Sequence, residues 1–267
     1  MRKQVEMTDS RKDDRMYQEA IKTLRTNLQF AGANIKVILM TSCFPNEGKS
    51  DVTFQLCREF GKISKRVLML DADIRKSAFV SRYQVKEKVK GLTHYLSGQA
   101  GLDEVIYSTN YENVDIIFAG SLSPNPTELL ESDEMESLLT QVRERYDYIL
   151  IDTPPLASMS DAMIVAKWCD GAMIVIEAER VSYRIAQKVK QNLVSTGCRV
   201  LGVVLNKVDT SSHRYYGYYG KYGKYGKYGY YGKYGYGYGY GGYGYGGYYG
   251  YYGASNSDSE SEESDKT

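Results

Sequence analysis

Residues 36–52, KVILMTSCFPNEGKSDV, constrain this chain more than any other stretch. The apolar run Val37-Ile38-Leu39-Met40 reads as a buried strand that ends in Thr41-Ser42. A short loop then leads to Gly48-Lys49-Ser50, which opens a helix. Backbone N–H groups at a helix start, with a lysine and a hydroxyl beside them, are the parts of a phosphate-binding loop. The amides wrap a β-phosphate, the ammonium reaches β- and γ-oxygens, and the hydroxyl ligates Mg²⁺. On this reading Pro45, Asn46, Glu47, Gly48, Lys49, Ser50 and Asp51 are the candidate residues around a nucleotide's phosphates, with Lys49 as the candidate catalytic cation. The strict pattern has glycine five residues before Gly48, where this chain has Cys43. Taken alone, the stretch also reads as a helix start that happens to carry a lysine.

Residues downstream of the loop decide between these readings. Strand-like runs are predicted at 36–42, 66–71, 114–119, 148–152, 171–176 and 200–206. Amphipathic helices are predicted at 48–62, 127–144, 160–168 and 181–197. Apolar runs buried on both faces and separated by helices imply an α/β fold, a parallel sheet with helices on either side. Right-handed crossovers then bring the loops after the strands to one edge, where ligands bind.

Two carboxylate motifs fall at that edge. The strand Val67-Leu68-Met69-Leu70 delivers Asp71-Ala72-Asp73-Ile74-Arg75. Two aspartates one residue apart can divide the work, one holding Mg²⁺ or its water and the other accepting a proton from a nucleophile. Arg75 can neutralise phosphate or hold a neighbouring carboxylate; the alternative is an Asx-turn at a strand end. The strand Tyr148-Ile149-Leu150-Ile151 ends in Asp152-Thr153-Pro154-Pro155, which places a carboxylate where a phosphate-loop protein keeps its Mg²⁺ partner. Ser50, Asp152 and one of the pair Asp71 and Asp73 are the candidate metal ligands. The last strand ends in Asn206-Lys207-Val208-Asp209, the pattern by which GTPases read guanine. Asp152-Thr153-Pro154-Pro155 replaces the Asp-x-x-Gly of a GTPase, so Asn206 is taken as an adenine contact.

An N-terminal helix from Asp14 to about Phe30 is predicted from Tyr17, Ile21, Leu24 and Leu28, which recur on one face. Glu19, Lys22 and Arg25 step around its flank as a solvated face with an internal ion pair. Residues 1–13 look disordered. Composition divides the remainder: residues 215–253 contain only Tyr, Gly and Lys, and residues 254–267 are Ser-rich and acidic. Neither has an aliphatic side chain larger than alanine with which to offset its ordering entropy. The domains expected are therefore a P-loop domain over 14–212, a Tyr/Gly-rich tail over 213–253 and a disordered acidic end over 254–267. A formal net charge of +1 excludes bulk attraction to nucleic acid. Cys43, Cys57, Cys169 and Cys198 lack metal-ligand spacing and read as reduced thiols of a cytosolic protein. No run is long and apolar enough to span a membrane, and the polar start is unlike a signal peptide.

The set Ser42-x-x-Pro45-x-Glu47-Gly48-Lys49-Ser50, Leu70-Asp71-x-Asp73-x-Arg75 and Ile151-Asp152-x-x-Pro155 resembles the Walker A, Walker A′ and Walker B motifs of bacterial tyrosine kinases. The likeness is to the kinase subunit of Gram-positive capsule and exopolysaccharide systems. The segment 19–28, the segment Ala119-Gly120-Ser121 with Pro124 to Leu130, and the terminal tyrosines extend it over residues 14 to about 252. The resemblance implies an ATP- and Mg²⁺-dependent protein-tyrosine kinase in which Lys49 and Ser50 serve the phosphates and Mg²⁺, Asp73 and Asp152 help hold the metal, and Asp71 activates the incoming hydroxyl. It implies a ring of subunits assembled through Glu19, Lys22 and Arg25, in which each copy offers its tail to a neighbour. It also implies control of polysaccharide synthesis and export, a separate transmembrane activator that holds the kinase at the cytoplasmic face of the plasma membrane, and a cognate tyrosine phosphatase. Three positions depart from the family: Lys22 for arginine, Asn46 for glycine, and Asp51 for threonine or serine. Asp51 either adds negative charge beside ATP or points away from it.

The acceptors on this reading are Tyr215, Tyr216, Tyr218, Tyr219, Tyr222, Tyr225, Tyr228, Tyr230, Tyr231, Tyr234, Tyr236, Tyr238, Tyr240, Tyr243, Tyr245, Tyr248, Tyr249, Tyr251 and Tyr252. Each phosphate adds about −1.5 to −2 charges, enough to turn a weakly basic segment anionic. Without kinase motifs such a tail reads as a self-associating low-complexity segment. The competing class is a MinD- or ParA-like positioning ATPase. That class carries a second lysine at the position of Phe44 and, for membrane targeting, a terminal amphipathic helix.

Overall fold

The structure, a computed structural model, describes residues 3–10 and 14–209. The expected boundary at 212/213, the tyrosines from Tyr215 to Tyr252 and the acidic end lie outside the described residues.

One eight-stranded sheet forms the centre. In chain order its strands are β1 (Lys3–Val5), β2 (Val37–Ser42), β3 (Val67–Asp71), β4 (Tyr107–Thr109), β5 (Val114–Ile117), β6 (Tyr148–Asp152), β7 (Gly171–Glu177) and β8 (Val200–Asn206), and they lie side by side as β1-β4-β5-β3-β6-β2-β7-β8. Every pair is parallel except β4 with β5. The helices are α1 (Arg15–Phe30), α2 (Lys49–Gly61), α3 (Phe79–Arg82), α4 (Leu92–Leu96), α5 (Leu102–Val105), α6 (Pro126–Glu131), α7 (Asp133–Arg145), α8 (Asp161–Ala166) and α9 (Tyr183–Ser195).

Period-two alternation along the central strands feeds two separate cores. Val37 and Leu39 pack with Leu138, Val142, Val165 and Leu193 from α7, α8 and α9 on one face. Ile38 and Met40 pack with Ile21, Leu28, Phe54 and Phe60 from α1 and α2 on the other. All four strand residues are fully buried, which is why the run reads as continuously apolar rather than alternating. Phe54 is the hub of the second core, with ring centroids of Tyr83 at 4.3 Å, Tyr111 at 5.3 Å and Phe79 at 6.4 Å. Phe54→Ala is expected to lower the unfolding free energy by about 3–5 kcal/mol; chemical denaturation that finds less than about 1 kcal/mol would contradict this packing.

Two expectations need correction. Residues 3–10 are ordered, not disordered: Lys3–Val5 pair with Tyr107–Thr109 of β4, and Val5 and Met7 are buried. Asn110 brackets the Met7 backbone at 2.9 and 3.2 Å, and Asp9 pairs with Arg58 at 2.7 Å. Two apolar side chains among charged neighbours gave no periodic signal, and the open edge of β4 supplies the hydrogen bonds that hold them. The helix expected over 127–144 is two helices. Ser132 takes an extended conformation between them, and its hydroxyl donates to the Leu129 carbonyl.

Candidate active site

The order β3-β6-β2 at the centre of the sheet places the loops after these three strands side by side. The loop after β2 runs from Cys43 to Gly48, and Lys49 is the first residue of α2. Asn46 has φ +67° and Gly48 has φ +88°, both left-handed, whereas Cys43 does not. Asparagine tolerates that region better than most residues, so glycine is dispensable at 43 and at 46. It is not dispensable at 48: a Cβ there would lie 2.1 Å from the Asn206 amide nitrogen. The loop is also tied from within. The buried Glu47 carboxylate accepts from the Phe44 N–H at 2.7 Å and the Glu177 N–H at 3.4 Å. Lys207 Nζ reaches the Asn46 carbonyl at 2.7 Å.

Four charges converge where the loops meet. Lys49 Nζ lies 3.2 Å from Asp152 Oδ2, 3.7 Å from Asp73 Oδ2 and 3.2 Å from Ser50 Oγ. Burial alone pulls the Lys49 pKa down, but Asp152, Asp73 and Asp71 together outweigh it and hold the ammonium above its ordinary value. Asp71 and Asp152 are register partners on β3 and β6, both essentially without solvent contact. Burial, reinforced by the Asp152 charge, pushes the Asp71 carboxyl up to about 7, although the Ser77 hydroxyl and Lys49 oppose the shift. Burial raises Asp152 too, against the pull of Lys49 and Ser50. Ser77 Oγ and the Asp73 amide both donate to Asp71. The site thus pairs a held cation with a buried carboxylate that titrates near neutrality, which is the environment of a general base.

Mg²⁺ fits this donor set. The ligands are hard oxygens, and the lysine ammonium already sits among the carboxylates of Asp73 and Asp152 and the hydroxyl of Ser50. No group of three or more His, Cys, Asp or Glu side chains among the described residues can hold an ion alone. Bound there, Mg²⁺ would complete its shell from phosphate oxygens and water, as is usual for this ion.

The other expected site residues are less uniform. Arg75 is not turned to the phosphate loop but forks onto Asp161 and donates to Thr127 Oγ1. Asp51 accepts from Tyr17 Oη at 3.0 Å, so its carboxylate ties α2 to α1. Asn206 donates its amide to the Glu47 carbonyl at 2.9 Å, at the lip of the phosphate loop. Of the α1 trio, Glu19 and Lys22 pair on the surface at 2.7 Å. Arg25 instead lies mostly buried against α2, 3.7 Å from the Glu59 carboxylate. Reading the sequence missed Ser77, Thr127 and Asp161. Ser77 lay within reach of inspection, six residues after Asp71, but Thr127 and Asp161 join the site only through folding.

The family described as an AAA domain matches residues 35–196. A tyrosine-protein kinase, CpsD, of Streptococcus pneumoniae serotype 4 is 41% identical over 198 residues, covering 74% of this chain and 87% of the relative. The kinase domain of the Escherichia coli tyrosine kinase ETK superposes with a TM-score of 0.68 at 29% identity, over 73% of this chain and 78% of that one. The cell-division ATPase MinD of Pyrococcus furiosus shares the fold, with a TM-score of 0.57 at 26% identity over 67% of this chain and 74% of that one.

Proposed function

Since the chain belongs to the bacterial tyrosine-protein kinase family that includes CpsD, and is a P-loop protein-tyrosine kinase on that ground, we propose that it phosphorylates the tyrosine cluster of its own C-terminal tail in trans and so regulates capsule or exopolysaccharide production. The observation that carries the transfer mechanism is Asp71: a fully buried carboxyl poised at about 7, beside the lysine of the phosphate loop. A tyrosine hydroxyl, with an ordinary pKa near 10, must lose its proton as it attacks. Asp71 takes that proton. The phenolic oxygen forms a bond to the γ-phosphorus as the bond to the β–γ bridging oxygen breaks, and ADP leaves with the electron pair.

Lys49 and the loop amides stabilise charge on the β- and γ-oxygens. Ser50, Asp73 and Asp152 would hold Mg²⁺, which supplies further charge neutralisation along the phosphate chain. Asn206, fixed over Gly48, would meet the adenine side of the nucleotide. The Glu47 and Asp51 carboxylates act on the protein itself, the first closing the loop and the second bracing α1.

Kinship by sequence to named tyrosine kinases, with Phe44 in place of the second lysine, favours the kinase over a MinD-like switch. Glu19 and Lys22 on exposed α1 are the candidate contact between copies, with Arg25 supporting the helix from below. No helix among the described residues is long and apolar enough to cross a membrane. We place the kinase in the cytoplasm, held at the plasma membrane by a transmembrane activator and opposed by a tyrosine phosphatase. Purified protein with Mg-ATP, with and without an activator's cytoplasmic peptide, should acquire phosphotyrosine between Tyr215 and Tyr252. A copy ending at Asp209 should keep nucleotide binding and lose at least about nine-tenths of its self-incorporated phosphate, because an acceptor must reach the base for transfer to occur. ATP hydrolysis without phosphotyrosine under either condition would refute the proposal.

A further inference from the structure

Asp161 opens α8 and meets Arg75, from which it is separated by 86 positions in the chain. Its side chain is completely buried, and a buried carboxylate is tolerated only when it is paired and hydrogen-bonded. Arg75 provides both. Nε donates to Asp161 Oδ2 at 2.5 Å and Nη2 donates to Oδ1 at 2.9 Å, while Nη2 also reaches Thr127 Oγ1 at 2.8 Å. Two parallel N–H···O bonds fix the plane of the guanidinium as well as its distance, which a lysine could not do.

The three anchor points belong to segments that follow β5, β3 and β6, which are neighbours in the sheet. Thr127 lies in the first turn of α6, Arg75 in the loop after β3, and Asp161 at the start of α8. That middle loop leaves β3 at Asp71 and carries Asp73. At its root the Ala72 amide donates to the Asp152 carbonyl at 2.8 Å. Beyond that point its other hydrogen bonds are local: the Asp73 amide and the Ser77 hydroxyl donate to Asp71, and the Lys76 amide to Asp73, while the Asp73 carboxylate faces Lys49 Nζ at 3.7 Å. Among the described residues, the Arg75 fork is what ties the loop to α6 and α8 at once. The phosphate loop, which follows β2, takes no part in this clasp.

We propose that Asp161 is a positioning residue for phosphoryl transfer: by fixing the Arg75 fork against Thr127 it sets the loop whose Asp73 amide and Ser77 hydroxyl hold the Asp71 carboxylate for the acceptor tyrosine. The clasp then governs turnover and acceptor use, and leaves nucleotide capture to the phosphate loop. For its rate readout this inference rests on the tyrosine-kinase reading; its exchange readout does not.

The test compares the full chain with Asp161→Asn, which keeps the shape and removes the charge, and with Thr127→Val, which removes one hydroxyl and leaves no unpaired charge. Amide hydrogen exchange is followed by mass spectrometry alongside kcat, acceptor KM and the affinity for a fluorescent ADP analogue. Faster exchange is expected over residues 72–78 in both variants, with residues 44–50 unchanged. A loop displaced by about 1 Å costs up to about a hundredfold in rate, so kcat should fall roughly ten- to a hundredfold in Asp161→Asn and less in Thr127→Val. ADP affinity should stay within about twofold of wild type, because the loop amides and Lys49 carry it. Unchanged exchange over 72–78 in both variants would overturn the proposal. So would a parallel loss of protection, nucleotide affinity and kcat, the mark of general destabilisation. If Asp161→Asn does not fold, Thr127→Val alone decides. A wild-type chain that makes no phosphotyrosine refutes the kinase reading and leaves the exchange result to judge the clasp.

Discussion

Replacing Lys49 by methionine is expected to abolish measurable phosphotyrosine formation, a fall in kcat of at least about 10²–10³. Methionine is close to lysine in length and keeps the helix start, but removes the charge that approaches Asp152 at 3.2 Å and Asp73 at 3.7 Å. Two consequences separate this loss from unfolding. Without the ammonium, the buried carboxyls of Asp71 and Asp152 lose the cation that opposes their desolvation, so both are pushed further up and hold their protons more readily instead of driving the chain open. The melting temperature should therefore change little at pH 6 and fall more at pH 9, where those protons are harder to hold. Lys49→Arg keeps the charge but delivers it as a planar fork rather than a compact point, and should recover only a minor part of the rate. Activity in Lys49→Met above about a tenth of wild type would rule out the charge of Lys49 as a main contributor to transfer.

Asp71→Asn is expected to cost about 10²–10⁴ in kcat, the usual contribution of a positioned base. It should also remove the acid limb of the pH profile. In the wild-type chain the rate should rise with pH through about 7, as the carboxyl whose pKa burial has raised loses its proton. The same group has the opposite effect on stability. Its folded pKa of about 7 lies above the ordinary 3.8, so folding takes up a proton between these values. The stability contributed by this group therefore declines as pH rises from about 4 to about 7, and is level on either side. Asparagine carries no such penalty and does not repel Asp152. The nucleotide-free Asp71→Asn variant should thus melt several degrees higher than wild type at pH 7.5, by about 2–4 °C for each kcal/mol relieved, with no advantage at pH 4. Loss of activity coupled to a gain in stability is the signature of a site that holds a charge for function. Equal melting temperatures at both pH values would show that Asp71 is not held in the raised state.

The central strands, the helices between them and the chemistry at their ends were legible in the linear order of residues. Strands β2, β3 and β6 are buried on both faces, so their apolar runs admit no other reading. A helix start that must hold phosphate needs glycine at 48 and a lysine after it, and these constraints are local. Asp71, Asp73 and Asp152 were legible for the same reason: each stands at or just past the end of such a strand. The stripe of Tyr17, Ile21, Leu24 and Leu28 likewise fixed α1 without reference to anything it packs against.

Contacts between distant segments were settled only by folding. Spacing could not tell whether Asp51 faced ATP or turned aside; the answer came from Tyr17 on another helix. The role of Arg75 waited on Asp161, and Arg25 was drawn inward by Glu59 rather than left on the surface with Glu19 and Lys22. Lys3–Val5 became part of the sheet because β4 offered an open edge, and Met7 just beyond was fixed by Asn110, a partner about a hundred residues away. Even the neutral-range titration of Asp71 is a tertiary property, since it arises from burial beside Asp152 on the adjoining strand. Backbone patterns and strand-end motifs are written in runs of neighbouring residues. The partner of a charge is chosen by the topology that brings separate runs together.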